Sequence, residues 1–185
     1  LLTSGNQHRT LANALSTNLN ESKEKARLPR PNPVHRLDRS ASGLLIIAKT
    51  MLAQQDLSEQ LAAYTVDKTY RVISHGLAEK TGTVDLPIKE KSAQTQYKLV
   101  KTIPSNKYGG FSILDVNIKQ GRKNQIRVHL HSLGHTVVGD LLYPRENPGK
   151  GLYLHCYELT LNHPKSGEKM TFEMDLPKKF KDFLN

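Results

Sequence analysis

The chain has 185 residues, with 27 Lys and Arg against 17 Asp and Glu, a net charge of +10 and a pI near 9.7. That length suits one domain with its own core, and the positive field favours a polyanionic partner, RNA or DNA, without choosing between them. One cysteine, Cys156, excludes an intrachain disulfide framework and makes the cytoplasm the default compartment, while the lack of any apolar run of ~20 residues excludes a helical membrane span.

In chain order, the sequence begins abruptly at Leu1-Leu2-Thr3-Ser4-Gly5 without an initiator Met, so a preceding strand is expected to be missing. Thr10 to Leu19 predicts a short helix with Leu11, Ala14 and Leu15 on one face and Thr10 as its cap. From Ser16 to Pro33 the composition is polar, charged and proline-rich. Such a stretch buries too little apolar area to offset its ordering entropy, so a mobile loop is expected over 16–33. A partner-binding proline-rich peptide at Arg27 to Pro33 is the less economical reading.

Leu44 to Ala48 is a continuous apolar run and predicts a strand buried on both faces. Met51 to Tyr64 spaces Leu52, Leu57 and Leu61 as an amphipathic helix. Lys68 to His75 alternates around Tyr70, Val72 and Ser74 as a strand ending at Gly76, and Thr95 to Ile103 with Phe111 to Lys119 forms a hairpin around Pro104 and Gly109-Gly110. Gly121 to Gly134 predicts a short helix, with Asn124 as cap and Ile126, Leu130 and Leu133 on its inner face. Leu152 to Leu161 and Met170 to Leu176 make a second hairpin, and Lys178 to Asn185 a closing basic helical turn. Strands outnumber helices and follow hairpin order, so the expected fold is α+β: a single domain over 1–185 on a mixed, largely antiparallel sheet flanked by helices and loops.

The stretch Pro33-Val34-His35-Arg36-Leu37-Asp38-Arg39-Ser40-Ala41-Ser42-Gly43 sets one acid among basic residues on a turn leading into a buried strand. Neighbouring cations favour an ionised carboxylate, which suits a nucleophile. Taken singly, Asp38 reads first as a turn-capping side chain, Tyr70 as a core or sheet-face aromatic and Arg127 as a solvated helix residue.

The run HRLDRSASGLLIIAK from His35 to Lys49 resembles the signature of the RluA-type pseudouridine synthases. Lys68-Thr69-Tyr70-Arg71-Val72 resembles that family's K-x-Y strand, and Gly121 to Leu130 its GRxHQIRVH segment. Leu133-Gly134-His135, Gly139-Asp140, Tyr143 and Leu154-His155 continue the pattern. Three separated motifs in one order are far more specific than any of them singly.

The resemblance implies conversion of uridine to pseudouridine in ribosomal or transfer RNA. Asp38 is then the nucleophile, Tyr70 stacks on the flipped uracil and is the usual candidate for proton removal, and Arg127 pairs with Asp38, in a bidentate fork if geometry allows. His35, Arg36, Arg39, Arg122, Gln125 and Leu154 are the expected RNA- or substrate-facing residues. The isomerisation is redox-neutral and adds no atoms, so no cofactor and no metal are implied, and a monomer is expected. Two positions depart from the family pattern, Ala41 where Thr is usual and Asn124 where His is usual. The alternatives are a noncatalytic RNA-binding module of the same fold, and a metal enzyme using His131 and His135 on one helix face; no acidic ligand stands at suitable spacing beside those histidines.

Overall fold

A computed structural model describes residues 11–20, 22–145 and 151–184. The abrupt amino terminus and the expected cap Thr10 lie outside the described residues. The elements run α1 (Leu11–Asn18), β1 (Arg27–Pro33), β2 (Ser42–Gly43), β3 (Ile47–Thr50), α2 (Met51–Ala62), β4 (Asp67–His75) and β5 (Thr81–Asp85). They continue β6 (Gln94–Ile103), β7 (Phe111–Ile118), α3 (Gln125–Ser132), β8 (Leu154–Asn162), β9 (Lys169–Glu173) and α4 (Lys178–Leu184).

Among the described residues a seven-stranded sheet has the order β2-β8-β4-β7-β6-β5, with β9 also on β8. All its pairings are antiparallel except β2 with β8, which is parallel. The α+β architecture expected from hairpin order is the one observed.

Alternation along the central strands places side chains on opposite faces. Tyr70 and Val72 of β4 join Leu114, Val116 and Ile118 of β7 in one cluster, which α3 covers with Ile126 and Leu130. Ile73 of β4 and Phe111 and Ile113 of β7 face the other way and meet Phe180 of α4. Each such side chain removed from water contributes roughly 1.5–3 kcal/mol, so the two-sided core holds β4 and β7 rigidly. The functional motifs lie on the first of these faces.

Four expectations are corrected. The loop expected over 16–33 gives way at 27–33 to β1, which pairs antiparallel with β3; its prolines fit because the pair is a small ribbon with a break in register between Arg27 and Asn32. The strand expected at Leu44 to Ala48 begins instead at Ile47 and belongs to that ribbon; Ala48 is buried, and Leu44 and Ile46 pack part-buried against the core. In α2 the inward stripe is Ala53, Leu57 and Leu61 rather than one containing Leu52, which is 67% exposed. The cap of α2 is Thr50, whose hydroxyl accepts from the Ala53 N–H at 3.2 Å. Asn124 precedes α3 with a left-handed backbone, φ 57°, and makes no side-chain cap, because its amide is used elsewhere.

Candidate active site

Residues 34–41 link β1 to β2 and carry Asp38 across the first core face. Leu37 and Ala41 pack part-buried on the core at either side of it, and the Ala41 N–H donates to the Asp38 carbonyl at 3.0 Å, closing a turn. The methyl of Ala41, where the family pattern has a hydroxyl, thus sits against apolar neighbours. The ends of the segment are tied from outside: Val34 N–H donates to the Ile46 carbonyl at 3.2 Å, and Leu44 N–H to the Cys156 carbonyl at 2.9 Å. Ser42 Oγ and His155 Nδ1 hydrogen-bond at 2.8 Å across the parallel pair.

Gly43 makes that pairing possible. Its φ is +119°, and a Cβ there would lie 2.1 Å from the Cys156 carbonyl oxygen. Only a residue without a side chain allows β2 to approach β8 so closely.

Six of the sequence-derived residues converge. Asp38, Tyr70 and Leu154 line one small cavity of about 40 Å³, together with Arg36, Arg122 and Gln125. A larger cleft of about 410 Å³, lined by Pro33, Val34, His35, Lys68 and Lys119, shares Arg36, Tyr70 and Gly121 with it. Arg127 approaches Asp38 from α3, Nη1 to Oδ2 at 3.8 Å, with both side chains mostly buried. That is an ion pair outside hydrogen-bond range. The bidentate fork expected between them is instead made to Asp140: Arg127 Nε donates to Oδ2 at 2.7 Å and Nη2 to Oδ1 at 2.6 Å. Geometry decides this, because the Asp140 side chain is fully buried beneath the guanidinium. Arg127 Nη1 also donates to Asn124 Oδ1 at 3.0 Å, which occupies the amide that the sequence assigns to capping.

The electrostatics follow. The Asp140 hydrogen bonds hold Arg127 above the ordinary guanidinium value against the effect of burial. Burial alone would raise Asp140, but the Arg127 hydrogen bonds, the Leu142 and Tyr143 N–H groups and the guanidinium charge bring it below the usual carboxylate value. Burial, then Cys156 and the charge of Asp38, push the Tyr70 phenol well above its ordinary value. Burial thus favours the neutral form of the phenol in the free protein.

The remaining site candidates divide. Arg36 and Arg39, flanking Asp38 in the chain, are exposed. Arg122 is tied on one side, Nη2 donating to Tyr64 Oη at 3.0 Å and Nε to the Ser92 carbonyl at 3.1 Å. His35 accepts the Ile46 N–H at Nε2, 2.9 Å, and burial with the nearby Lys68 charge lowers it to about 4; it braces the loop as a neutral ring. Gln125 is buried, its Oε1 accepting from Arg122 N–H at 3.0 Å and its Nε2 donating to the Gln94 carbonyl at 2.9 Å, so its amide is committed within the fold. Leu154 is buried as an apolar wall.

The helix-face pairing of His131 and His135 does not form, since α3 ends at Ser132. His131 Nδ1 hydrogen-bonds Thr136 Oγ1 at 3.0 Å, and His135 Nδ1 the His75 carbonyl at 3.2 Å.

Sequence reasoning missed Asp140 as a site residue, although Gly139-Asp140 was part of the matched pattern. It also missed Lys68, whose buried ammonium donates to the Lys119 carbonyl at 2.9 Å on the wall of the larger cleft, and Lys119, which pairs with Asp67. A family model described as RNA pseudouridylate synthase matches residues 2–132. The chain belongs to this family.

The RluA-type resemblance drawn from the motifs is borne out by the relatives. The chain is 37% identical over 197 aligned positions to ribosomal large subunit pseudouridine synthase D of Nitrosomonas europaea, covering 94% of this chain and 55% of that one. It is 36% identical to an uncharacterized RNA pseudouridine synthase of Aquifex aeolicus, covering 93% of this chain and 61% of the other. The chain thus spans a little over half the length of these relatives. Human RNA pseudouridylate synthase domain containing 4 superposes with a TM-score of 0.70 at 21% identity over 84% of this chain and 75% of that one, a likeness of fold.

Proposed function

We propose that the chain is the catalytic domain of an RNA pseudouridine synthase, isomerising uridine to pseudouridine with Asp38 as nucleophile. The observation that supports this most directly is the meeting of Asp38 and Tyr70 in one cavity, with Arg127 3.8 Å from the carboxylate. The reaction must break the bond between ribose and N1, turn the uracil and rejoin it through C5. A carboxylate can hold the sugar or base covalently while the base turns, then leave as the new bond forms.

A stacked uridine is out of reach, so the base is flipped at a cost of a few kcal/mol, less in a loop than in a duplex. Tyr70 offers its ring as a flat wall for the uracil and Leu154 an apolar floor. The C5 proton leaves once the new bond has formed while N1, freed of the sugar, gains one, and Asp38 and Tyr70 are the side chains beside the base that could handle the transfer. Arg36 and Lys119 line the larger cleft and Arg39 is exposed next to Asp38 in the chain, where contacts to phosphates position the strand without reading its sequence.

The names of the relatives favour ribosomal RNA of the large subunit as the target, with transfer RNA as the alternative. The protein would act in the cytoplasm as a monomer without a cofactor. Among the described residues no helix is long and apolar enough to cross a membrane.

Pseudouridine mapping of total RNA from cells with and without the gene tests the reading and names the uridine. Asp38→Asn is expected to abolish the product, a loss of at least about 10³-fold, while RNA binding stays within about twofold. Bound RNA without product from the unaltered protein would instead favour a noncatalytic module.

A further inference from the structure

Arg127 lies between two aspartates and treats them unequally. Its Nε–Nη2 edge is closed onto Asp140 at 2.7 and 2.6 Å, whereas Asp38 sees only Nη1, at 3.8 Å. Nη1 is itself held by Asn124 Oδ1 at 3.0 Å. A guanidinium has five N–H donors in a fixed plane, so committing one edge to Asp140 fixes where the rest of the plane points.

Asp140 is well suited to dictate that plane. Its side chain is fully buried, and Oδ1 also accepts the Leu142 N–H at 2.7 Å and the Tyr143 N–H at 3.3 Å. The preceding Gly139 has φ +79°, and a Cβ there would fall 1.8 Å from the Gly151 carbonyl oxygen. The carboxylate is thereby anchored by its own backbone and by two amides before it meets Arg127.

We propose that Asp140 is a positioning residue of the isomerisation site, which captures the forked edge of Arg127 so that Asp38 is steered by a cation without being locked to it. A carboxylate in a bidentate pair has its lone pairs engaged by two charge-assisted hydrogen bonds, and a nucleophile in that state is spent. At 3.8 Å the positive charge still faces Asp38, but its oxygens stay available to the substrate. Asn124, one of the two departures from the family pattern, does the same on the remaining nitrogen, and its left-handed backbone, φ 57°, brings its amide to that place. The inference rests on Asp38 being the nucleophile.

The test uses the full chain and an unmodified transcript of large-subunit ribosomal RNA as probe, with wild-type turnover measured first. Asp140→Asn keeps the shape but offers an NH2 group to a donor edge, so Arg127 is expected to swing onto Asp38. The expected results are a fall in kcat of at least 10-fold with KM changed less than twofold, and a crystal structure in which an Arg127 nitrogen lies within hydrogen-bond distance of Asp38. Asn124→Ala, which removes no charge, is expected to lower kcat about threefold with an unchanged melting temperature, and it decides the matter if the first variant does not fold. Wild-type kcat in a folded Asp140→Asn or in Asn124→Ala, an unmoved Arg127, or kcat and KM shifting together would overturn the proposal. No product from the unaltered protein on this transcript, with Arg127 nonetheless moved onto Asp38 in the variant, would locate the failure in the functional reading and not in the geometry.

Discussion

Within the HRLD motif, His35 links the fold to pH. His35 is a buried acceptor for the Ile46 N–H, with its value lowered from 6.5 to about 4. The unfolded chain therefore binds a proton that the folded one refuses between those limits, and stability must fall as pH drops from 6.5 towards 4 and level off below. The contribution is on the order of 3 kcal/mol at most. Urea melts across that range are expected to show a flatter pH dependence for His35→Asn than for the unaltered protein, and equal slopes would remove His35 from the account.

At this scale the motif residues were legible because each resemblance falls on one position, whereas their partners were not. Asp140 reaches Arg127 from outside α3, and its partnership depends on burial and on the turn at Gly139. Nor does a sequence reveal that Tyr70 is buried beside Asp38, its phenol pushed above its ordinary value chiefly by that burial.

Among the elements, β2 decides whether the loop holding Asp38 has a place to dock. It has two residues, and its contact with β8 depends on Gly43 passing 2.1 Å, measured from a notional Cβ, from a backbone oxygen. Gly43→Ala combines that clash with a strained φ, so a loss of about 3 kcal/mol or more is expected in chemical denaturation, with activity lost under native conditions. A wild-type midpoint would show that β2 can retreat without cost.

The long strands and both hairpins could be read from the sequence, since period-two burial runs along much of β4, the start of β6 and the end of β7. The short elements could not. β5, with Gly82 in the middle, carries too few apolar residues to signal a strand, and its place is set by pairing with β6. β1 reads as a proline-rich loop and becomes a strand because β3 lies opposite, a tertiary effect that local propensity does not contain.

For the whole molecule, the proposed function makes charge the term that sets the mode of RNA capture. With a net charge of +10 and several cations around one opening, binding should release counterions and weaken steeply with salt. About four phosphate contacts imply a loss on the order of 10²-fold in affinity between ~50 and ~200 mM salt. Filter binding or fluorescence anisotropy over that range checks it, and the slope should shrink by about one unit when Arg36 or Lys119 is replaced by Gln. A salt-independent affinity would mean that contacts other than phosphates dominate.

The one parallel pair in the sheet also governs when competence can arise. Ser42 and His155 are 113 positions apart, so the aspartate leaves the translation machinery long before the strand that gives its loop a floor. Any fragment ending short of β8 lacks the Leu44–Cys156 and Ser42–His155 hydrogen bonds that fasten the far end of the Asp38 loop. Closing so long a span is slow relative to the local hairpins. On the proposed reading, the Asp38 loop gains its floor only after β8 has been made.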